Sequence, residues 1–195
     1  MEEYVDKRVQ RSKKAIKEAF LTLLFKKPFS QITVSDIAEK AKYNRGTFYA
    51  NFETKDNLLD EFIQDVLQEM VYQIRVPYKS IKQVNFHEMN AEDITLFQYF
   101  KDNAKLFRLL LSNHIRVDFR YQMAKAIEEL FIAEYDYELA EGTILNPKWL
   151  YIYRAHGVTG LIIRWIEEDF SEEPEYMSQQ IIELMVTSTS GFHVK

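Results

Sequence analysis

The chain has 195 residues, a formal net charge of −5 and 47% hydrophobic residues, which is enough for one domain or two small ones. Five glycines and four prolines are few for the tight turns of a β-sandwich, so the composition favours a mostly helical fold and excludes collagen-like and disordered chains. Without cysteine, a secretory signal pattern or an apolar run of ~18 residues, a cytoplasmic protein with no transmembrane helix is expected.

The first predicted helix is amphipathic and runs from a cap at Ser12 to about Lys26. Its apolar residues recur at the spacing of one helical face, namely Ile16, Ala19, Phe20, Leu23 and Leu24. Basic residues gather at its start, where they oppose the helix dipole. They form either a solvated face or a surface for an anion such as phosphate.

Charge is distributed unevenly along the chain. Residues 1–60 carry 12 basic and nine acidic residues, a net charge of +3, whereas the other 135 residues carry 13 and 21, a net charge of −8. This asymmetry predicts two modules with different partners, and it shows that the whole-chain charge is a poor guide to nucleic-acid binding.

Two short helices are predicted next, with N-caps at Thr33 and Asn44. The first spans about eight residues, and the second covers residues 45–52. Phe48 and Phe52, four residues apart, would anchor the second helix on its neighbours. A short helix, a tight turn and a second short helix form the layout of a helix-turn-helix, which places its second helix in the major groove of DNA.

The residues that would face outward on the second short helix have suitable chemistry for DNA. Arg45 can bind guanine or phosphate through two hydrogen bonds, and Gly46 permits a close approach of the backbone. The Thr47 and Tyr49 hydroxyl groups can reach base edges or phosphates. Each residue also has a structural interpretation, because Gly46 is a poor helix former and Tyr49 is a ring that a helix surface half buries.

Three stretches, Thr33–Ala41, Asn44–Tyr49 and Asn51–Leu59, resemble the DNA-binding domain of the TetR family of transcriptional regulators. The resemblance covers residues 8–68, with the helix-turn-helix at about 32–52. Two positions depart from the usual family pattern: Lys42 stands where most members have glycine, and Asn51 stands where many have histidine. Lys42 therefore predicts either a different turn or an added DNA contact.

The resemblance also implies roles for individual residues. Thr33 and Lys55 would contact phosphate, and the flanking backbone or minor groove would be approached by Arg8, Arg11 and Lys13. The recognition surface would consist of Arg45, Gly46, Thr47 and Tyr49, with Ser35 and Lys42 as secondary candidates.

The rest of the chain, residues 69–195, is predicted to form a helical effector-binding and dimerisation domain, so the fold class is all-α. A long helix over residues 54–74 would join the two modules as a lever. A short helix with loops is expected over residues 78–92. Further helices are expected over about 94–111 with a break near residues 102–103, and over 115–137, 148–169 and 173–189.

The C-terminal half is similar to the variant of the family that is common in Firmicutes, and the resemblance implies a ligand pocket and a dimer interface there. The aromatic pocket candidates, which could equally be plain core, are Phe97, Phe100, Phe107, Phe119, Tyr121, Trp149, Tyr153 and Trp165. The interface candidates on the last two helices, with the same alternative, are His156, Gly157, Gly160, Ile163, Met177, Ile181, Leu184 and Met185.

No enzyme, cofactor or metal is expected. The sequence has no glycine-rich phosphate loop and no nucleophile motif, and His114 and Asp118, four residues apart, have no evident third ligand. The resemblance implies a homodimeric repressor that binds a palindromic operator in double-stranded DNA and is released by a small effector. The alternative is a co-regulator or architectural DNA-binding protein whose C-terminal domain binds another protein.

Overall fold

The computed structural model describes residues 7–115, 117–137, 139, 141–187 and 191–194, and it is predominantly helical. Within this described part, nine α-helices carry most of the chain. In the N-terminal half they are α1 (Lys7–Leu24), α2 (Val34–Lys40), α3 (Arg45–Asn51) and α4 (Lys55–Arg75). They continue as α5 (Leu96–Asp102), α6 (Ala104–Leu110), α7 (Phe119–Glu134), α8 (Pro147–Glu167) and α9 (Pro174–Val186). The all-α fold class is thus confirmed.

The chain divides into two compact units. Unit 1 extends to Val66 and also includes the later segment Ser112–Val117, and unit 2 comprises Leu67–Leu111 and the residues from Asp118 onward. The long helix α4 contributes residues to both units. The segment Ser112–Val117 belongs to the packing of unit 1, because the N–H of Phe29 donates to the carbonyl of His114 over 2.9 Å and Ile115 is buried.

The core of unit 1 is built from the apolar faces of α1 to α4. Phe20 is fully buried and meets the rings of Phe29 and Phe62 edge-on, with centroids 6.0 and 6.2 Å apart. The other large buried side chains include Ile16, Leu24, Ile32, Ile37, Phe48 and Leu58. Helices as short as α2 and α3 are marginal on their own, so this shared core is what stabilises them.

Ser12 lies inside α1 and does not cap it, which corrects the predicted start of this helix. Its hydroxyl donates to the carbonyl of Val9, 2.9 Å away, and the helix already begins at Lys7. A serine can satisfy its hydroxyl within a helix in this way, so a serine before an apolar stripe does not by itself mark a boundary.

Unit 2 packs α7 against α8, and α5 against α9. Its core is aromatic: the rings of Phe100 and Phe107 have centroids 4.3 Å apart, and Phe97 meets Trp165 edge-on at 5.5 Å. The helix break near residues 102–103 is present, because α5 ends at Asp102 and α6 begins at Ala104. Positions 188–189 of the last predicted helix lie outside the described residues.

A small antiparallel sheet, which the sequence did not predict, completes unit 2. Its strands are β1 (Gln83–Asn85), β2 (Tyr135–Tyr137) and β3 (Gly191–Val194), in the order β1-β3-β2. His193 pairs with Gln83 on one side and with Asp136 on the other. Strands of three or four residues are too short for an alternating pattern to reveal them, and their partners are distant in sequence. Of the helices described, none is long and apolar enough to cross a membrane.

Candidate functional site

The start of α2 is fixed by Thr33, as the sequence predicts. The Thr33 hydroxyl accepts the Asp36 N–H at 3.1 Å, and the Asp36 carboxylate accepts the Thr33 N–H at 2.8 Å, so the two residues form a capping box. Lys27 also donates to Asp36 over 2.8 Å. This ammonium group, with the Thr33 N–H and hydroxyl, lowers the pKa of Asp36 to about 2. Thr33 and Ser35 are exposed beside this cap.

Between α2 and α3 the backbone makes a left-handed turn at Lys42, whose φ is 60°. The N–H of Lys42 donates to Glu39 and that of Tyr43 to Ala38, over 3.0 and 2.9 Å. A left-handed conformation favours glycine, and a lysine here carries a conformational cost. Lys42 thus adopts a turn that suits glycine, and its side chain is exposed next to α3.

Helix α3 presents two distinct faces. Asn44 caps it by accepting the Thr47 N–H at 2.8 Å, and Phe48 is fully buried in unit 1. The opposite face carries Arg45, Gly46 and Tyr49, and Tyr49 is 50% exposed. The buried Phe48 sets the rotation of the helix, so the three predicted recognition residues face outward together with the half-buried Thr47.

Arg45 and Tyr49 lie one turn apart and contact each other. The guanidinium carbon of Arg45 is 5.9 Å from the centre of the Tyr49 ring, and its Nη2 is 3.4 Å from the Tyr49 hydroxyl. The ring therefore restricts the orientation of the guanidinium group before any ligand arrives.

Gly46 has a packing reason to be glycine. A Cβ atom at this position would lie 3.1 Å from Oδ1 of Asn44, the atom that caps α3. A larger residue would crowd the cap, so Gly46 protects the start of the helix as well as the approach of the backbone to a ligand.

Two of the basic residues that were predicted to contact DNA make contacts within unit 1. Lys55 donates to the carbonyl groups of Phe29 and Ile32, over 3.0 and 2.9 Å, and its ammonium nitrogen is 4.5 Å from the Phe29 ring centre. Lys13 pairs with Glu61 at 2.8 Å and lies over the Phe52 ring. Both side chains are half-buried and make links within unit 1. The predicted phosphate contact of Lys55 and the predicted approach of Lys13 to the flanking backbone or minor groove stay predictions.

The first turns of α1 and helix α3 border an open cleft of about 450 Å³. Arg8 and Arg11, both predicted, line it from α1, and Thr47 lines it from α3. Tyr43, which the sequence analysis did not select, lines the same cleft and is 38% exposed. Its position in the sequence, as an aromatic residue in the turn directly before the Asn44 cap, could have identified it.

Unit 2 contains an apolar cavity of about 90 Å³. Of the eight predicted pocket residues, Phe97 is among the described residues that line it. Four of the others are buried in the core and are at most 2% exposed: Phe100, Phe107, Phe119 and Trp165. The other three are surface residues, with exposures of 59–73%: Tyr121, Trp149 and Tyr153. These seven residues are thus not among those described as lining this cavity, because aromaticity alone does not separate core, surface and cavity; Tyr153 lines a groove between α8 and α9 instead.

Residues that the sequence analysis missed line most of this cavity. They include Tyr78, Phe86, Phe131, Tyr135 and Tyr137. Burial raises the pKa of Tyr137 to about 12, although Arg154 nearby opposes this shift. Several of these residues lie in or beside the short strands, which is why helical periodicity did not select them.

The predicted interface residues divide between the two faces of α8 and α9. Those buried within unit 2 are Ile163, Met177 and Met185. Those with exposed or half-exposed surface are His156, Gly157, Gly160, Ile181 and Leu184. The exposed α8 residues continue the helical row that begins with Trp149 and Tyr153.

Two further polar residues of unit 2 make local contacts. His156 is 4.0 Å from the Glu128 carboxylate, and Asp118 caps α7 by accepting the Tyr121 N–H at 3.1 Å.

Comparison with known proteins links both halves of the chain to transcriptional regulators. The family profile described as "Bacterial regulatory proteins, tetR family" matches residues 16–62, and that described as "Transcriptional regulator C-terminal region" matches residues 90–187. The HTH-type transcriptional regulator YxbF of Bacillus subtilis (strain 168), itself described as uncharacterized, is 26% identical over 171 residues. That alignment covers 87% of this chain and 43% of YxbF, so the chain spans under half of its relative.

Solved structures show the same fold. A TetR transcriptional regulator from Streptococcus agalactiae 2603V superposes with a TM-score of 0.63 and 23% identity, covering 92% of this chain and 96% of its own. The dihydroxyacetone kinase operon activator DhaS gives 0.62 and 20%, with coverage of 90% and 94%. FadR from Bacillus subtilis, in complex with stearoyl-CoA, gives 0.57 and 16%, with coverage of 89% and 97%.

Proposed function

The chain belongs to the TetR family of transcriptional regulators, and from this premise we propose that it is a dimeric repressor that leaves a palindromic operator when an effector binds. The DNA-binding part of this proposal is supported by the outward face of α3, where Arg45 and Tyr49 are exposed opposite the buried Phe48. A protein that binds an operator in this way works in the cytoplasm, on double-stranded DNA.

The proposed DNA surface is centred on α3 and includes exposed cations around it. Arg8 and Arg11 lie on α1 at the cleft that α3 borders, and Lys42 is exposed in the turn before α3. Thr33 and Ser35 extend the surface at the start of α2. Lys13 and Lys55 would support this surface from behind, through the contacts that hold α1 and α4 in unit 1. We retain residues 8–68 as the proposed DNA-binding domain and 69–195 as the proposed effector and dimer domain.

The exposed face of α8 is suited to binding a second copy of the chain. Apart from its chain neighbours and the backbone of its own helix, a Cβ atom added at Gly157 or Gly160 would meet no atom of the described residues within 4 Å. Two glycines in a helix interior cost stability, and packing within the described subunit does not require them. A helix of another copy could approach closely at these positions, with His156 and Leu184 alongside, and the two-fold symmetry of such a dimer would match a palindromic operator.

The effector is proposed to bind in the apolar cavity of unit 2. Structural similarity to FadR, which was solved with stearoyl-CoA, supports a ligand in this class of fold. The alternative is that the C-terminal domain binds a different protein. The large exposure of Trp149 and Tyr153, at 61% and 73%, favours this alternative as much as it favours a second copy.

The experiment that tests the proposal is selection of genomic DNA fragments by the purified protein. We expect enrichment of fragments that share an inverted repeat, bound by two copies of the chain, and repression of a reporter placed behind such a site. Fragments without any common sequence would contradict an operator. Activation of the reporter would contradict the role as repressor, and one copy per site would contradict the dimer.

A further inference from the structure

The open cleft of unit 1 has free hydrogen-bond donors on both of its walls. This is the cleft of about 450 Å³ between the first turns of α1 and helix α3. Arg8 and Arg11 line it from α1, and Tyr43 lines it from the turn before α3. The described residues that line the cleft include no acidic side chain, so its walls contribute only positive charge.

Arg11 differs from the basic residues that follow it on α1. Lys13 and Lys17 both pair with Glu61 of α4, at 2.8 and 2.6 Å. Arg11 is exposed, and it has no hydrogen bond or ion pair within the described part of the chain. The guanidinium group of Arg11 is therefore available to an anion from outside the protein.

The hydroxyl of Tyr43 is the second free donor of the cleft. Tyr43 is exposed, and its hydroxyl has no hydrogen-bond partner among the described residues. The backbone of this residue is held in place, because its N–H donates to the carbonyl of Ala38 over 2.9 Å. Ser12 and Asn51, which also line the cleft, hydrogen-bond to each other and to backbone carbonyl groups. A ligand in the cleft thus meets donors that lack an acceptor at Arg11 and Tyr43.

A backbone phosphate of DNA has the chemistry that these donors require. A phosphodiester carries one negative charge and has free oxygens that can accept hydrogen bonds from a guanidinium group and from a tyrosine hydroxyl. The position also fits, because Thr47 of α3 lines the same cleft. A recognition helix that lies in the major groove has a sugar–phosphate strand beside it, where the turn and the neighbouring helix can reach a phosphate.

We propose that the cleft holds one backbone phosphate of DNA between Arg11 on α1 and the hydroxyl of Tyr43 in the turn, so that Tyr43 is a further direct DNA contact. The inference deepens the proposed function and rests on it for the identity of the bound DNA. A phosphate contact fixes the orientation of the protein on the duplex and carries no sequence information. Its loss therefore weakens binding to every DNA sequence by the same factor, unlike the loss of a base contact.

The first test measures the affinity of the full chain for the selected operator and for mixed-sequence duplex DNA, by fluorescence anisotropy at several salt concentrations. We expect Tyr43→Phe to bind both DNAs about tenfold more weakly, because a hydrogen bond to a charged group is lost. The slope of log K against log salt should not change, since this variant removes no charge. Arg11→Gln should weaken both complexes and make the slope less steep. Tyr176→Phe is the matched control, because Tyr176 is an exposed tyrosine on α9.

The second test locates the phosphate by replacing each backbone phosphate of the operator in turn with an uncharged methylphosphonate. We expect one position in each half-site at which this replacement weakens wild-type binding by about tenfold. At the same position, Tyr43→Phe and Arg11→Gln should respond much less, because each has already lost part of the contact. The wild-type measurement does not depend on whether a variant folds.

Wild-type affinity of Tyr43→Phe for the operator would overturn the inference alone, and so would coupling of Arg11 and Tyr43 to different phosphates. Calorimetric titration with inorganic phosphate separates DNA from a free anion. Saturable binding that Arg11→Gln abolishes, without a coupled phosphate in the DNA, would assign the cleft to a free anion and overturn the inference. A chain that binds mixed-sequence DNA through Tyr43 but selects no inverted repeat would refute only the proposed function.

Discussion

The side-chain amide of Asn51 links α3 to α1 by donating to the hydroxyl of Ser12, with the nitrogen 3.1 Å from the oxygen. The same amide donates to the carbonyl of Thr47 over 2.8 Å. Ser12 is buried, so the link lies inside unit 1. It ties the C-terminal end of the proposed recognition helix to the helix that carries Arg8 and Arg11.

Asn51→Ala should destabilise the protein, because it removes both donations and with them the link between α3 and α1. We expect the free energy of unfolding to fall by about 1–2 kcal/mol. Urea denaturation followed by circular dichroism would measure this, with Glu53→Ala, an exposed position two residues away, as the control. Equal stability of the two variants would show that the link does not contribute.

Arg45→Ala should weaken operator binding without unfolding the chain, because the guanidinium group is exposed and its described contacts are with Tyr49 on the same helix. A lost guanine contact costs about 1–3 kcal/mol, or roughly five- to 150-fold in affinity. Tyr49→Phe should produce a smaller loss, since the ring stays and only the hydroxyl is removed. Fluorescence anisotropy with labelled operator would measure both, with Lys26→Ala beyond the far end of α1 as the control. Wild-type affinity in both variants would show that α3 does not read the DNA.

Lys55→Met should lower stability and leave the salt dependence of DNA binding unchanged, because Lys55 donates to two carbonyl groups inside unit 1. We expect a loss of about 1–2 kcal/mol in unfolding free energy. If the exposed residues Arg8, Arg11 and Lys42 neutralise about three phosphates per subunit while Arg45 contacts a base, the slope of log K against log salt is about −5 for a dimer.

Arg11→Ala provides the matching comparison. It should make that slope less steep by about 2 for a dimer, at nearly unchanged stability. The reverse pattern, with Lys55→Met flattening the slope at full stability, would identify Lys55 as a direct phosphate contact.

Lys42→Gly and Lys42→Ala separate the backbone of the turn from the charge of the side chain. Both remove the same positive charge, but only glycine relieves the left-handed conformation at φ 60°. We therefore expect the glycine variant to be about 1 kcal/mol more stable than the alanine variant, while the two lose DNA affinity equally. Equal stabilities would mean that the turn does not strain residue 42.

The contribution of Asp36 to stability should disappear in acid. Because Lys27 and Thr33 lower the folded-state pKa of Asp36 from 3.8 to about 2, the stabilisation is fully present above pH 4 and is lost as the pH falls towards 2. The stability difference between the wild type and Asp36→Asn should follow this course in urea titrations at several pH values. A difference that stays constant from pH 5 to pH 2 would contradict the role of these contacts.

Local signals in the sequence predicted unit 1 well. Thr33 and Asn44 cap their helices, and Phe48 is buried, because these features depend on neighbours within a few residues. The roles of Lys13 and Lys55 could not be predicted, since their partners lie 23 to 48 residues away in the sequence. A basic residue near DNA and a basic residue that links helices look identical in sequence.

In unit 2 the helices were predictable, but the cavity and the sheet were not. A helical period identifies apolar positions without indicating whether they are buried within unit 2 or exposed, as the buried Met177 and the half-exposed Leu184 illustrate. Arg154 is the extreme case, because an arginine within a helix is normally expected at the surface. Its burial depends on rings that come from β2 and from the turn after β1.

The placement of Ser112–Val117 in unit 1 sets a condition on how the chain can fold during synthesis. The carbonyl of His114 that receives the Phe29 N–H leaves the ribosome more than 80 residues after Phe29. By then α5 and α6 of unit 2 have already been made. The N-terminal unit therefore cannot reach its final packing as an independent first product, and a fragment that stops at Val66 would lack one of its own parts.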